Sequence, residues 1–330
     1  MSKAISNVVF TRNRPLQLEA YLQSLYRHMP KEQIQTYILY KVDLFDEEYS
    51  GLFRRFPDAV VIKEKDFTDD FMNLFERLNT KYVLFGTDDV VYYDSVDFAV
   101  IDETFGAFPD DIFGFSLRLQ PRTLLDDAED VVAIESAGQR IYKINWQQAR
   151  SRNGRYPFEL NSTVYRTSLV NRILEPVARE HPTLKKLLSP ETLPGRLAGR
   201  FFNMKNFRVS LDTFHDPNAL EGHCYRWCKT HKRTFPSHLY FQKICASAVQ
   251  INRVNVTVDN PVDGSVDHTV DALNEKYKQG YRFDTEAIEK NRPKETHVGQ
   301  EYFRLVDPDA LRNEGRDAVK EAQETRTQNL

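Results

Sequence analysis

Over its first 120 residues the chain alternates short β-rich runs with stretches of helical period, and that alternation leaves few folds open. ISNVVF reads as a strand. After it Leu18, Tyr21, Leu22, Leu25 and Met29 recur at the spacing of one helical face, with Pro15 in the first turn and Asn13 as the expected cap. TYILYKV reads as a second strand, and Phe45, Tyr49, Leu52, Phe53 and Phe56 stripe a second helix. AVVIK, a helix marked by Phe71, Leu74, Phe75 and Leu78, then YVLFG and IFGFSLRL continue the pattern. Strands joined by single helices pair in parallel through right-handed crossovers, so the expected class is α/β with a doubly wound, mostly parallel sheet. Such sheets bind ligands beyond the carboxyl ends of their strands. That rule gathers TRNRP, VDLFDEE and GTDD at one edge.

Past about residue 120 the pattern turns irregular. There are β-like pieces at 131–135 and 140–145, the segment PFELNSTVYRTSLVNRIL, and two further candidate strands, FRVSL and AVQINRVNVTV. VDALNEKYKQGY reads as a helix ended by Gly280. No linker of Gly/Ser or Pro divides the chain, so residues 1–306 are expected to form one domain, with a regular half over 1–120 and an elaborated C-terminal half over 121–306. The tail, 307–330, is highly charged with few large apolar residues.

A net charge of −3 lends no support to nucleic-acid binding, which relies on cationic surface. The N-terminus lacks the apolar core of a secretory signal, and no apolar stretch approaches the roughly 20 residues of a membrane span. Cys224, Cys228 and Cys245 are an odd set that points to reduced thiols. The expected location is cytoplasmic, with membrane contact at most peripheral.

In YVLFGTDDVVYY two like charges, Asp88 and Asp89, stand between apolar runs. A turn accounts for acidic residues, but VVYY behind them places the pair at the edge of packed structure, where ionised carboxylates need a partner or a metal. Mg²⁺ or Mn²⁺ takes oxygen ligands and often only one or two from protein, the rest being water and phosphate. In TRNRP, Arg12 and Arg14 stand at a helix N-terminus, whose free N–H groups and dipole favour an anion. A diphosphate between loop and metal fits both.

VVFTRNRPLQLEAYLQSL and FGTDDVVYYD together resemble the opening strand, loop and helix and the DxD-type metal motif of GT-A-fold glycosyltransferases of the family 2 type. The resemblance covers roughly residues 5 to 120. It implies that Thr11, Arg12 and Asn13 line a nucleotide pocket and that Asp43 faces the base. Asp88 would approach the ribose or share the metal, with Asp89 as principal metal ligand. Thr87 stands where the family pattern has its first Asp. Arg12 or Arg118 would help to hold the diphosphate. The implied activity moves a sugar from a nucleotide-diphosphate donor to a hydroxyl acceptor, with a divalent cation (Mn²⁺ or Mg²⁺) and inversion. The acceptor is a glycan, a lipid-linked molecule or a protein.

An inverting transfer needs a carboxylate base. The resemblance puts it in the second half near a helix start, where DTFHDPNALEGHCYRWCKTH offers Asp212, Asp216 and Glu221; Glu221 is the chosen residue. Cys224, Cys228 and His231 share a helical face and could bind zinc, but buried thiols are the simpler expectation. Tyr156, Phe158, Glu159 and Asn161 offer an acceptor wall. Two other classes compete: a catalytically silent glycan- or partner-binding protein, and a sugar nucleotidyltransferase, which a first loop without glycine disfavours.

Overall fold

The computed structural model describes residues 3–179, 187, 191–201, 214–231, 235–252 and 268–309. FRVSL, Asp212, most of AVQINRVNVTV and the charged tail beyond residue 309 lie outside the described residues.

The expected alternation is present: β1 (Ile5–Arg12), α1 (Pro15–His28), β2 (Ile34–Lys41), α2 (Asp46–Arg55), β3 (Val60–Lys63), α3 (Phe67–Phe75) and β4 (Tyr82–Thr87). The α1 stripe is buried throughout, from Leu18 to Met29. β4 is followed by two elements that the sequence reading passed over, β5 (Val90–Tyr92) and α4 (Phe98–Ala107), the latter capped by Asp97 through the Ala99 and Val100 amides. β6 (Ile112–Ser116), the hairpin β7 (Val132–Ser136) and β8 (Gln139–Asn145), β9 (Thr163–Arg166), α5 (Thr167–Val177) and β10 (Ser237–Phe241) complete the main layer.

The nine strands are ordered β3-β2-β1-β4-β9-β6-β10-β8-β7. β1, β2, β3 and β4 pair in parallel, β9 is antiparallel to both its neighbours, β10 parallels β6, and β8 is antiparallel to β10 and β7. Seven of the nine strands therefore run one way, the mostly parallel α/β sheet that the alternation implied. Both halves of the chain feed it. β9 enters between β4 and β6 from far along the sequence, a non-local pairing that local periodicity does not encode.

A second, three-stranded sheet supports the far side of the β4 turn. There β5 pairs antiparallel with β11 (Ala246–Val249), which pairs in parallel with β13 (His297–Val298). β12 (Arg282–Phe283) and β14 (Leu305–Val306) form a separate ribbon. The helix Val270–Lys278 ends as expected, with Gly280 at φ +95°, a left-handed conformation that glycine adopts without strain.

Two apolar layers flank the main sheet. One packs Leu18, Leu22, Leu25 and Ile101 against one face; the other packs Phe67, Phe71, Phe75, Phe158, Tyr165, Cys224 and Cys228 against the other. Helices on both faces force the parallel strands to be apolar on both sides, which is why β1 reads VVF without alternation.

Candidate active site

A cavity of about 950 Å³ opens beyond the carboxyl ends of β1, β2, β4 and β6. Thr11 and Arg12 from β1, Lys41 from β2, Glu64 after β3, Thr87, Asp88 and Asp89 after β4, and Arg118 after β6 all line it. The opposite wall comes from the second half: Tyr156, Glu159, Asn161, Asn218, Glu221 and His297.

The two aspartates form the turn between β4 and β5 and face different partners. The Asp88 amide bonds Phe10 O at 3.2 Å, which ties it to β1, and the Asp89 carbonyl accepts from Val249 N at 2.8 Å, which ties it to β11. The Asp88 side chain is buried, taking Arg14 Nη1 at 3.0 Å on Oδ1 and Thr11 Oγ1 at 2.7 Å on Oδ2. Thr11 has one proton and gives it to Asp88, so the Tyr49 hydroxyl, 2.7 Å away, is the donor to Thr11. Tyr49 in turn accepts from the Arg14 amide at 2.9 Å, and Arg14 Nη2 reaches Asn252 O at 2.5 Å. Burial raises the Asp88 pKa, opposed by Arg14 and reinforced by neighbouring Asp89.

Asp89 differs. Its carboxylate is only partly buried, lines the cavity, and takes the Thr87 hydroxyl on Oδ1 at 2.6 Å. Thr87, the departure from the family motif, thus orients the following acid, and it also touches the Asn161 amide.

Arg118 is buried beneath the cavity. It pairs with Glu159, donates from Nε to Asn161 O at 2.9 Å and from Nη1 to Thr296 O at 3.2 Å, and stands 3.4 Å from His297 Nε2. An arginine is only a donor, so Nε2 is the acceptor nitrogen and Nδ1–H faces Thr296 Oγ1 at 3.1 Å. The His297 ring is open to the cavity, yet the surrounding protein and Arg118 hold its pKa down at about 4. It is a neutral imidazole at neutral pH.

Glu221 lies in the helix Pro217–Thr230, whose N-cap is Asp216 through the Ala219 amide. Its Oε1 accepts from the Tyr156 hydroxyl at 2.6 Å and its Oε2 from Leu160 N at 2.9 Å. Burial raises its pKa, partly offset by these two donors.

Of the expected site residues, Thr11, Arg12, Asp88, Asp89, Arg118 and Glu221 meet at this one cavity. Asn13 and Asp43 do not line it. Asn13 is not the α1 cap either: the cap is Arg14, without a side-chain bond, while Asn13 sits at φ 54° and closes the loop by donating to Asp43 Oδ2 at 3.0 Å and accepting from its amide at 2.9 Å. Arg12 joins them at 3.1 Å, and these donors, Asn13 foremost, lower the Asp43 pKa. Of the residues expected to form an acceptor wall, Tyr156, Glu159 and Asn161 line the cavity, whereas Phe158 stacks on Tyr165 in the core. Cys224 and Cys228 are buried thiols in the same core, and burial raises both pKa values. The sequence reading missed Tyr49, Lys41, Glu64 and His297. His297 follows no motif, and its place depends on β13 pairing with β11.

The donor set bears on a divalent cation. Asp88 fits poorly as its ligand in this arrangement, because it is buried and its charge is already compensated by Arg14. Asp89, an open carboxylate, fits a site that takes its other ligands from phosphate and water, whereas His297 does not in this arrangement, because its Nε2 lone pair accepts from Arg118 and its Nδ1 carries the proton. Among the described residues no group of three or more His, Cys, Asp or Glu side chains could hold a metal.

No family model matches the sequence. Among curated proteins, the bifunctional glycosyltransferase pgtA of Dictyostelium discoideum is 22% identical over 193 residues, covering 52% of this chain and 25% of that protein. The chain therefore spans about a quarter of the length of this relative. Among solved structures, S. aureus TarS 1-349 in complex with UDP aligns over 53% of this chain and 48% of that one, at 14% identity and a TM-score of 0.36. Mannosyltransferase PcManGT from Pyrobaculum calidifontis in complex with GDP-Man and Mn2+ aligns over 55% and 48%, at 10% identity and 0.34. Among the described residues no helix is long and apolar enough to cross a membrane. The resemblance carried by TRNRP and GTDD is borne out in sequence: this chain is similar to a curated glycosyltransferase.

Proposed function

We propose that the protein is a metal-assisted glycosyltransferase that moves a sugar from a nucleotide-diphosphate donor to a hydroxyl acceptor with inversion. The observation that carries this reading is the sorting of three carboxylates in one cavity. Asp88 is neutralised by Arg14, Asp89 is open, and Glu221 is held by neutral donors with a raised pKa.

Each group then has a chemical task. Asp89 would hold the cation, which when bound supplies stabilisation of negative charge on the departing diphosphate. Arg12, at the cavity rim, adds positive charge beside the same oxygens. Arg118 fixes the Glu159–Asn161 wall and His297 from beneath. Glu221 takes the acceptor hydroxyl proton as that oxygen bonds to the anomeric carbon and the bond to the diphosphate breaks. A pKa moved up toward the working pH makes a carboxylate a better proton acceptor. The acceptor enters along Tyr156, Asn161 and Asn218, which combine an aromatic face with amides. A cytoplasmic location and an acceptor of glycan, lipid-linked or protein type accord with this chemistry.

The test is release of nucleoside diphosphate from a panel of nucleotide sugars, with Mn²⁺ and with chelator. Turnover should require the cation and vanish in Asp89→Ala. Activity indifferent to chelator and to Asp89 would refute the metal role, retained anomeric configuration in the product would refute inversion, and absence of binding by any nucleotide would favour a silent binding protein.

A further inference from the structure

We propose that Lys41 and Glu64 read the donor base and select guanine, an inference that rests on the nucleotide-sugar reading above. The strand order β3-β2-β1-β4 lays Glu64, Lys41, Arg12 and Asp88–Asp89 in succession along one edge. That edge spans three strand spacings, roughly 14 Å. With the diphosphate at the Asp89 end, the base comes to the Glu64 end. Its floor there is Phe10 and Leu39, both apolar and both on the cavity wall. Asp43, which the family resemblance assigns to the base, is committed to Arg12 and Asn13 and stands outside the cavity.

Lys41 Nζ bonds Glu64 Oε1 at 2.9 Å, and the Glu64 side chain is only 10% exposed against 41% for Lys41. The Glu64 amide is fixed too, bonding Tyr40 O at 2.8 Å. The result is a held carboxylate with an adjustable ammonium beside it: one donor next to two acceptors. Guanine presents the complement, the O6 acceptor followed by the N1–H and N2–H donors. Uracil offers a single N–H between two carbonyls, so its second carbonyl meets a carboxylate oxygen. Cytosine and adenine present a bare ring nitrogen at the centre, which the carboxylate repels.

Calorimetric titration of GDP, IDP, UDP, CDP and ADP with Mn²⁺ decides this, using the intact chain, Glu64→Gln and Lys41→Ala. IDP is guanine's ring without the N2 amine. Since a hydrogen bond to a charged group is strong, GDP should bind at least about tenfold tighter than IDP and UDP. That preference should collapse in Glu64→Gln, while Lys41→Ala should weaken GDP and IDP together and keep their ratio. Equal binding of GDP and IDP by the intact chain, or tighter UDP, overturns the guanine assignment and leaves the nucleotide-sugar reading standing. Binding of none of the five overturns both. The GDP/IDP comparison is made on the unmutated chain, so a variant that fails to fold does not remove the test.

Discussion

Replacing Arg14 by Met tests how the first acid of the pair is tolerated. The Arg14 and Asp88 side chains are 10% and 4% exposed, so the pair is shielded from solvent and from salt. Removing one partner of a buried pair costs about 3–5 kcal/mol, because the remaining charge is left uncompensated. Here the cost has a second source, since Asp89 is the adjacent residue and pushes the Asp88 pKa further upward. The variant should therefore protonate Asp88 on folding at neutral pH. The sign follows from linkage: a carboxyl whose folded pKa lies above its ordinary value, near 4, stabilises fully below that value and loses its contribution as pH rises through the folded pKa. Arg14→Met raises the folded pKa further, so its deficit against wild type should be largest at pH 7 and shrink as pH falls toward 5. Urea unfolding at both pH values measures this. Adding Asp88→Asn should recover most of the loss at pH 7, because the two residues couple directly. A deficit below about 1 kcal/mol, or one that grows in acid, would refute the assignment of Arg14 as the counter-charge.

Glu221→Gln should cut turnover by roughly 10²–10⁴ with nucleotide affinity unchanged, measured by product formation alongside calorimetry. Tyr156→Phe removes a donor that lowers the Glu221 pKa, so the acidic limb of the kcat/KM profile should move to higher pH; a limb that moves down or stays would separate Tyr156 from the base. Gly86→Ala should destabilise by about 1–3 kcal/mol in thermal or denaturant unfolding, because a Cβ there would stand 2.6 Å from ring carbons of Tyr21. Tyr21 is fully buried and its hydroxyl holds Asn7 Oδ1 at 2.6 Å, so it has little room to retreat.

The regular half of this fold was legible because each of its elements carries its own local period, and two of its three pairings, β1–β2 and β2–β3, join neighbours in sequence. β1 to β4 and their helices need only local period, and the loops that follow them fall at one edge by topology. The opposite wall was not legible in that way. Glu159 and Asn161 face Thr87 because β9 inserts between β4 and β6, and His297 faces Asp89 because β13 adds to a three-stranded sheet begun by β5. β5 itself hid in plain view, since VVY reads as apolar packing until its partner β11 is known. Asn13 went astray for a different reason: a residue that can cap a helix can also close a loop, and its left-handed backbone favours the loop.

The adjacency of Asp88 and Asp89 follows from where the chain changes sheets. The Asp88 backbone still pairs with β1, and the Asp89 backbone already pairs with β11, so successive side chains point to different environments within one step. Asp88 turns toward Arg14 and Thr11, whose positions depend on the α1 start and on Tyr49 of α2. Asp89 turns into the cavity with Thr87 as a neighbouring donor in that turn. The inner acid thus locks TRNRP onto the strand end, and through Arg14 the same lock reaches Asn252 beyond β11. The outer acid is then presented from a turn anchored on both sides, and pre-organised carboxylates bind cations without having to order a loop first. On this view Asp88→Asn and Asp89→Asn should fail differently. The first should lower stability and leave nucleotide binding measurable at low temperature. The second should keep the melting temperature within a few degrees of wild type and lose the cation dependence of nucleotide binding. Equal thermal loss in both would mean that the two carboxylates share one structural role and that the division between lock and ligand is wrong.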